Sequence, residues 1–217
     1  LDAISHDEML ELAAQGAKVL QARSVEFAKS RHVPMRVLSS FLAAGQSRGT
    51  DIVADCDIAE RRVVSGVAYA RDQARIAVLG AAPHSRFASE TFAILANAEI
   101  GVDMIVQAHG REPDTVNLEF SVAHRDLDRA QSALEQGLPG LRIGSETGLA
   151  KVSVVGAGLR QRADVARSLF GVLDQSGIAV KVLATSEIKI SALIDNDAVE
   201  RAVRALHAAY GLDRMGN

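Results

Sequence analysis

The stretch "KVSVVGAG", Lys151 to Gly158, joins an apolar strand pattern to a glycine turn, and "RIAVLGAA" at Arg75 to Ala82 repeats that pattern earlier in the chain. A second pair of segments aligns in the same way, because "TFAILANAEIGVDMIVQ" at 91–107 lies over "LFGVLDQSGIAVKVLAT" at 169–185. Each copy has the order strand, glycine turn, helix, strand, alternating strand, helix. The repeat therefore predicts an α+β fold made of two tandem ferredoxin-like βαββαβ modules.

The alternating strand of each copy has one apolar face. Every second residue from Ile188 to Ile194 is apolar, with Lys189 and Ser191 between them, and the residues from Val116 to Val122 show the same period of two. One apolar face per strand predicts that helices cover only one side of each sheet. The helix faces expected to be buried carry Ala88, Thr91, Phe92 and Leu95; Leu127, Ala130 and Leu134; Val165, Leu169, Val172 and Leu173; and Ala198, Ala202, Ala205 and Ala209.

Other segments lie outside the two copies. "RVVSGVAYA" at 62–70 predicts a strand before the first copy, which could also pair with the second copy, and 141–150 bridges the copies. The first fifty residues differ in kind. They predict two short helices, a buried strand and a Gly-, Ser- and Asp-rich linker, at Asp7–Ala14, Ser24–Lys29, Val33–Ser39 and Ala44–Asp57 respectively.

Composition excludes several classes of protein. The 217 residues carry a net charge of -3 with 4% aromatic residues and no Trp, so a basic, stacking face for nucleic acid is not expected. No run of about 18 apolar residues exists, and the acidic start, with Asp2, Asp7 and Glu8, is unlike a signal peptide. We therefore expect a cytoplasmic protein without membrane contact. Cys56 is the single cysteine, which excludes an internal disulfide, and the start at Leu1 rather than Met indicates a piece of a longer protein.

Two groups of residues resemble the aspartate kinase family. "ISHDEMLELAAQGAKVLQARSVEFAKSRHVPMRVLSSF" from Ile4, followed by "GTDIV", is similar to the end of the catalytic domain of these enzymes. "KVSVVGAG" and "TSEIKIS" resemble their tandem ACT regulatory modules. The resemblance implies a kinase-domain remnant and linker at 1–55, a first ACT module at 60–143 and a second at 144–217. It also implies phosphoryl transfer from ATP to L-aspartate, at the entry to lysine, threonine and methionine biosynthesis, in the complete enzyme.

The segments that would hold ATP in this family have no counterpart in the chain. The family's N-terminal Lys, Phe, Gly, Gly, Thr motif and its Asp-rich nucleotide loop are both missing, so we assign no catalytic residue and expect the chain alone to be inactive. We expect no cofactor in this chain, whereas the complete enzyme would use ATP and Mg. The "GAG" at Gly156 to Gly158 predicts a strand-to-helix turn rather than a dinucleotide site, since Gln161 stands where a third Gly would be. The six histidines show no metal-ligand spacing.

The resemblance also implies where an amino-acid effector binds. Asp103 and Gln107 match the acidic residue and the Gln that recognise effectors in the first ACT module, and Ser186 and Glu187 match the effector-linked cluster of the second. Solvation of strand ends remains the alternative explanation for all four. Arg86 is the candidate cation for an effector carboxylate. The complete candidate set is Arg86, Asp103, Gln107, Ala179, Val180, Ser186 and Glu187.

Several departures from the family leave a second hypothesis open. The chain has "PHSR", Pro83 to Arg86, where the family usually has Asp, Lys, Pro, Gly, and Ala163 and Asp164 replace the usual Pro-Gly of copy two. Asp164 near a helix start would compete with a bound carboxylate. The first hypothesis is a regulatory part that binds lysine or threonine, dimerises through its ACT modules and contacts a catalytic kinase domain. The alternative is a non-catalytic tandem ACT platform for oligomerisation with decayed effector pockets.

Overall fold

The computed structural model of the chain describes residues 1–43, 45–54, 63–83 and 86–213. Cys56, Arg62, His84 and Ser85, which entered the sequence predictions, lie outside the described residues. The elements before residue 55 form an N-terminal unit. They are β1 (Ala3–Ser5), α1 (His6–Ala14), α2 (Ala22–Ser30), β2 (Met35–Val37) and β3 (Thr50–Val53).

The N-terminal unit corrects two predictions. Thr50–Val53 falls within the predicted linker, yet it is the central strand of a three-stranded sheet, parallel to β1 and antiparallel to β2. Ile52 explains this, because its fully buried side chain packs with Ile4, Met9 and Val25 in the core of the unit. The strand predicted at Val33–Ser39 is reduced to three residues and is not buried, since β2 lies at the edge of the sheet.

The remaining elements build a six-stranded antiparallel sheet with the order β5-β6-β4-β7-β9-β8. Its two central strands are long, with 16 residues in β4 and 14 in β7. The strands are β4 (Gly66–Ala81), β5 (Val102–His109), β6 (Val116–Ala123), β7 (Arg142–Val155), β8 (Val182–Thr185) and β9 (Lys189–Asp195), and the helices are α3 (Phe87–Asn97), α4 (Leu127–Gly137), α5 (Ala163–Gln175) and α6 (Val199–Ala209). None of the helices in the described ranges has both the length and the hydrophobicity needed to cross a membrane.

The two long strands are shared by both modules. In the first module, residues 73–81 of β4 pair with β6 on one side and with the first half of β7 on the other. In the second module, the last half of β7 pairs with β9, and its other neighbour is Gly66–Ala70 of β4. The second module thus takes its fourth strand from the segment that precedes the first module. The tandem βαββαβ fold predicted from the repeat is confirmed.

Helices α3 to α6 pack on the apolar strand faces, mostly with the predicted residues. The prediction for α6 was partly wrong, because Val199, Ala202 and Leu206 form its buried stripe while Ala209 is exposed. The prediction that one sheet face stays uncovered was also wrong for the second module. Ser153 of β7 and Ser191 of β9 face away from the helices, yet both are buried, since α1 of the N-terminal unit lies against that face.

Candidate effector site

Asp103 lies at an irregular point of the edge strand β5. The pairing of β5 with β6 shifts register between Asp103 and Val106, which marks a β-bulge. Met104, within the bulge, has a φ of 49°, in the left-handed region that non-glycine residues rarely occupy. The backbone N–H of Met104 donates to Oδ1 of Asp103 at 2.8 Å. The bulge therefore fixes the direction of the Asp103 carboxylate.

A lysine from the second module contacts this carboxylate. Lys151 Nζ of β7 donates to Oδ2 of Asp103, and the lysine side chain is only 8% exposed while that of Asp103 is 44% exposed. Burial raises the pKa of Asp103, but the hydrogen bond and charge of Lys151 outweigh burial and hold that pKa below its ordinary value. Asp103 is thus an ionised carboxylate with one side open to solvent.

More polar groups lie on the helix-free face around Asp103. Ser121 on β6 is directly opposite Asp103, is 1% exposed, and its Oγ has no hydrogen-bond partner. Arg75 on β4 is opposite Ser121 and lies 3.0 Å from both Glu119 and Glu146. These side chains line one face because cross-strand neighbours point the same way. The face can therefore bind a polar ligand that carries both charges.

The other two candidates of the first module lie elsewhere on it. Gln107 is exposed on β5, opposite Leu118. Arg86 directly precedes α3 and is exposed. Arg75 lies in the same cross-strand row as Asp103, whereas Ala81 ends β4 shortly before Arg86. From Arg75 to Ala81, β4 continues for six residues, which is roughly 20 Å of extended strand. The structure therefore does not bring Arg86 next to Asp103.

In the second module, Ser186 and Glu187 form the turn between β8 and β9. The N–H of Ser186 donates to the carbonyl of Lys189 at 2.9 Å, and the carbonyl of Glu187 accepts from the N–H of Leu159 at 2.8 Å. The turn is therefore held against the loop that leads into α5. The Glu187 side chain is exposed, and the buried Oγ of Ser186 has no hydrogen-bond partner.

Ala179 and Val180 connect α5 to β8. Ala179 is exposed, whereas Val180 packs against the core of the second module. The following strand reaches the first module, because Val182 of β8 packs with Met104 of β5. The candidates of the second module thus flank β8, a strand that contacts β5 of the first module.

The start of α5 is occupied by the chain's own carboxylate. Arg162 donates to both oxygens of Asp164, at 2.9 and 2.8 Å. This guanidinium, helped by backbone N–H groups of Asp164 and Val165, lowers the pKa of Asp164 to about 2. A carboxylate already lies where a ligand carboxylate would bind a helix N-terminus. The N-terminus of α5 is therefore a poorer site for a ligand carboxylate than a helix N-terminus without such an acid would be.

Sequence reasoning missed Lys151 and Ser121. A lysine within the apolar stretch "KVSVVG" was an available signal, because a charged residue in a buried strand needs a counter-ion. The identity of that counter-ion was not available, since Asp103 is 48 residues away and belongs to the other module. Ser121 carries no sequence signal at all.

Comparisons with known proteins agree with this architecture. The ACT domain family matches residues 152–210. An aspartokinase from Helicobacter pylori (strain ATCC 700392 / 26695) is 43% identical over 216 residues, covering 97% of this chain and 52% of that protein. The chain thus spans about half the length of the curated relatives it matches.

Two solved structures are similar over most of the chain. The regulatory subunit of aspartate kinase from Thermus thermophilus, in a ligand-free form, is 34% identical with a TM-score of 0.63, covering 68% of this chain and 98% of the subunit. Aspartokinase III from E. coli in complex with lysine and aspartate is 25% identical with a TM-score of 0.71, covering 96% of this chain and 46% of that enzyme chain. The chain therefore belongs to the aspartate kinase family and corresponds to the regulatory part of that enzyme.

Proposed function

We propose that the chain binds a free amino acid of the aspartate family, lysine or threonine, and thereby regulates an aspartate kinase. Asp103 carries this proposal, since it is an ionised, half-exposed carboxylate on the edge strand of an ACT module. Such a group accepts the ammonium of an amino acid by a charge-assisted hydrogen bond. The lysine complex of the E. coli relative supports the same class of ligand.

The complete enzyme would phosphorylate the side chain of L-aspartate with ATP and Mg in the cytoplasm. This chain lacks the family's nucleotide-holding motifs, so the activity would depend on a catalytic kinase domain as partner. The N-terminal unit is suited to transmit the effector signal, because α1 contacts the sheet that carries Lys151. Gln15 at the end of α1 accepts a hydrogen bond from Ser153 at 3.3 Å.

Isothermal titration calorimetry with L-lysine and L-threonine tests effector binding, using the chain and its Asp103→Asn variant. Asparagine keeps an oxygen that can accept from Lys151 but loses the negative charge, and because Lys151 then lacks a counter-ion, circular dichroism first checks that the variant is folded. A charge-assisted hydrogen bond is worth roughly 1.5 to 3 kcal/mol, so we expect the affinity for the better ligand to fall about 10- to 100-fold.

A matched control is Asp128→Asn, which removes an exposed acid from the first turn of α4 in the same module. It should leave the affinity unchanged. Equal affinities of the chain and Asp103→Asn would remove Asp103 from the site. The absence of heat with every aspartate-family amino acid, in a folded protein, would favour the oligomerisation platform instead.

A further inference from the structure

Lys151 is a buried ammonium whose ion-pair partner among the described residues is Asp103. The neighbouring residues of β7 that point to the other face, Ala150 and Val152, lie in the helix-covered core of the second module. A buried charge that loses its counter-ion is strongly destabilising. A ligand that took only the Asp103 carboxylate would therefore leave Lys151 unpaired.

A zwitterion avoids this cost because it brings a carboxylate as well as an ammonium. We propose that an α-amino acid inserts into the Asp103–Lys151 pair, placing its ammonium on Asp103 and its carboxylate on Lys151. One ion pair is thereby exchanged for two, and no buried charge is left alone. This inference rests on the proposed function and assigns the carboxylate to Lys151, a residue of the second module, instead of Arg86.

Two further observations favour insertion at this point. Ser121, opposite Asp103, has a buried hydroxyl without a partner, which can donate to a carboxylate or accept from an ammonium. Asp103 also sits at the bulge of β5, where the ladder to β6 is interrupted and Met104 is held at positive φ. An interrupted edge strand can move outward with the loss of few ladder hydrogen bonds. The pair thus has a third polar contact available and a way to open.

Insertion predicts selectivity for zwitterions over amines. Calorimetry with L-lysine and with cadaverine, which is lysine without its carboxylate, measures this selectivity directly. L-threonine and 1-aminopropan-2-ol form a second such pair. We expect the amino acid that binds to exceed its decarboxylated analogue about 10- to 100-fold in affinity, the range for a lost charge-assisted hydrogen bond.

The Lys151→Met variant isolates the lysine, since methionine retains an unbranched side chain of similar length. Its affinity for the amino acid should fall about 10- to 100-fold, whereas that for the amine should stay or rise because Asp103 is free. Lys181→Met is the matched control. Lys181 is also partly buried and ion-paired, with Glu146 at 3.0 Å and Asp195 at 3.4 Å, but it does not contact Asp103, so both affinities should be unchanged.

A measurement on the unaltered chain covers the case in which Lys151→Met does not fold. The ¹³Cε resonance of Lys151, assigned by NMR, should shift when the amino acid saturates the site, and it should shift much less at the same concentration of the amine, which binds about 10- to 100-fold more weakly. The insertion proposal is wrong if the Lys151 resonance does not shift when the amino acid is added. It is also wrong if a folded Lys151→Met variant binds the amino acid with unchanged affinity. If the insertion is overturned but Asp103→Asn still weakens binding, the effector binds at Asp103 without using Lys151. If no amino acid binds the unaltered chain, both proposals are wrong.

Discussion

At the scale of single residues, Gly156 shows why the "GAG" after β7 is not a nucleotide motif. A Cβ at Gly156 would lie 2.0 Å from the carbonyl oxygen of Val63, so the glycine allows the segment before β4 to cross directly over the end of β7. The N–H of Gly156 donates to the carbonyl of Ile188 at 3.0 Å. The glycine thus permits close contact between three backbone segments rather than contact with a phosphate.

Two Gly→Ala substitutions should therefore act in opposite directions. Gly156→Ala forces backbone atoms apart, and we expect a loss of about 1 to 3 kcal/mol in the free energy of unfolding, as in an overpacked core. Gly171→Ala, within α5 and with no atom beyond the local helix backbone within 4 Å of the new methyl, should add up to about 1 kcal/mol through helix propensity. Urea denaturation of both variants checks this. Similar stabilities of the two variants would contradict the close approach of Val63.

At the scale of secondary structure, periodicity predicted the strands and helices of both modules because each element buries one face. Periodicity failed where only a few residues determine whether a strand forms or which side chains of a helix are buried. Thr50–Val53 has one fully buried residue, Ile52, and its strand depends on pairing with segments far away in the chain. In α6, alanine periodicity suggested a stripe through Ala205 and Ala209, but the larger Leu206 fills the core instead.

The candidate site was predictable only as far as the resemblance to aspartate kinases reached. It supplied Asp103, and the structure adds the ionised, half-exposed state of that carboxylate. Lys151 could not be paired with it from the sequence, since a cross-module contact depends on how β4 and β7 are shared. The separation of Arg86 from Asp103 was not available either, because it depends on how far β4 extends beyond the row that contains Asp103.

Helix α1 makes a polar contact with the sheet that can be tested alone. Glu11 accepts from Lys189 of β9 at 2.7 Å and from Gln15 at 2.6 Å, and the Glu11 and Lys189 side chains are mostly buried. Lys189→Met would leave Glu11 without its counter-ion, at a cost of about 1 to 2 kcal/mol, between exposed and fully buried pairs. We expect hydrogen exchange of the α1 amides to accelerate roughly 5- to 30-fold, while α5 is unaffected.

The control for this contact is another ion pair of α1, formed with a lysine of α2. Lys29 pairs with Asp7 of α1, but both side chains are about half exposed, so Lys29→Met should change exchange very little. If the two variants accelerate exchange equally, burial of the Glu11–Lys189 pair is not what holds α1 on the sheet.

At the scale of the whole molecule, sharing β4 and β7 joins both modules into one sheet and leaves β5 and β8 as its edges. Strand edges with free backbone groups tend to pair with other chains unless they are protected. Ile105, on β5, is 51% exposed and is the one large apolar side chain on either edge strand that the described residues leave this open. The β5 edge is therefore the surface of the sheet best suited to a second copy of the chain.

We expect a two-fold dimer formed through β5, because a symmetric pair lets the same edge serve both chains. Light scattering should give twice the 23.0-kDa mass of the chain at micromolar concentrations. Ile105→Lys should shift the mass to that of the monomer, since a charged edge residue disfavours strand pairing. Phe170→Lys, on the partly exposed face of α5, is the control and should remain dimeric. A monomer at millimolar concentration, or a dimer that survives Ile105→Lys, would exclude β5 as the dimer interface.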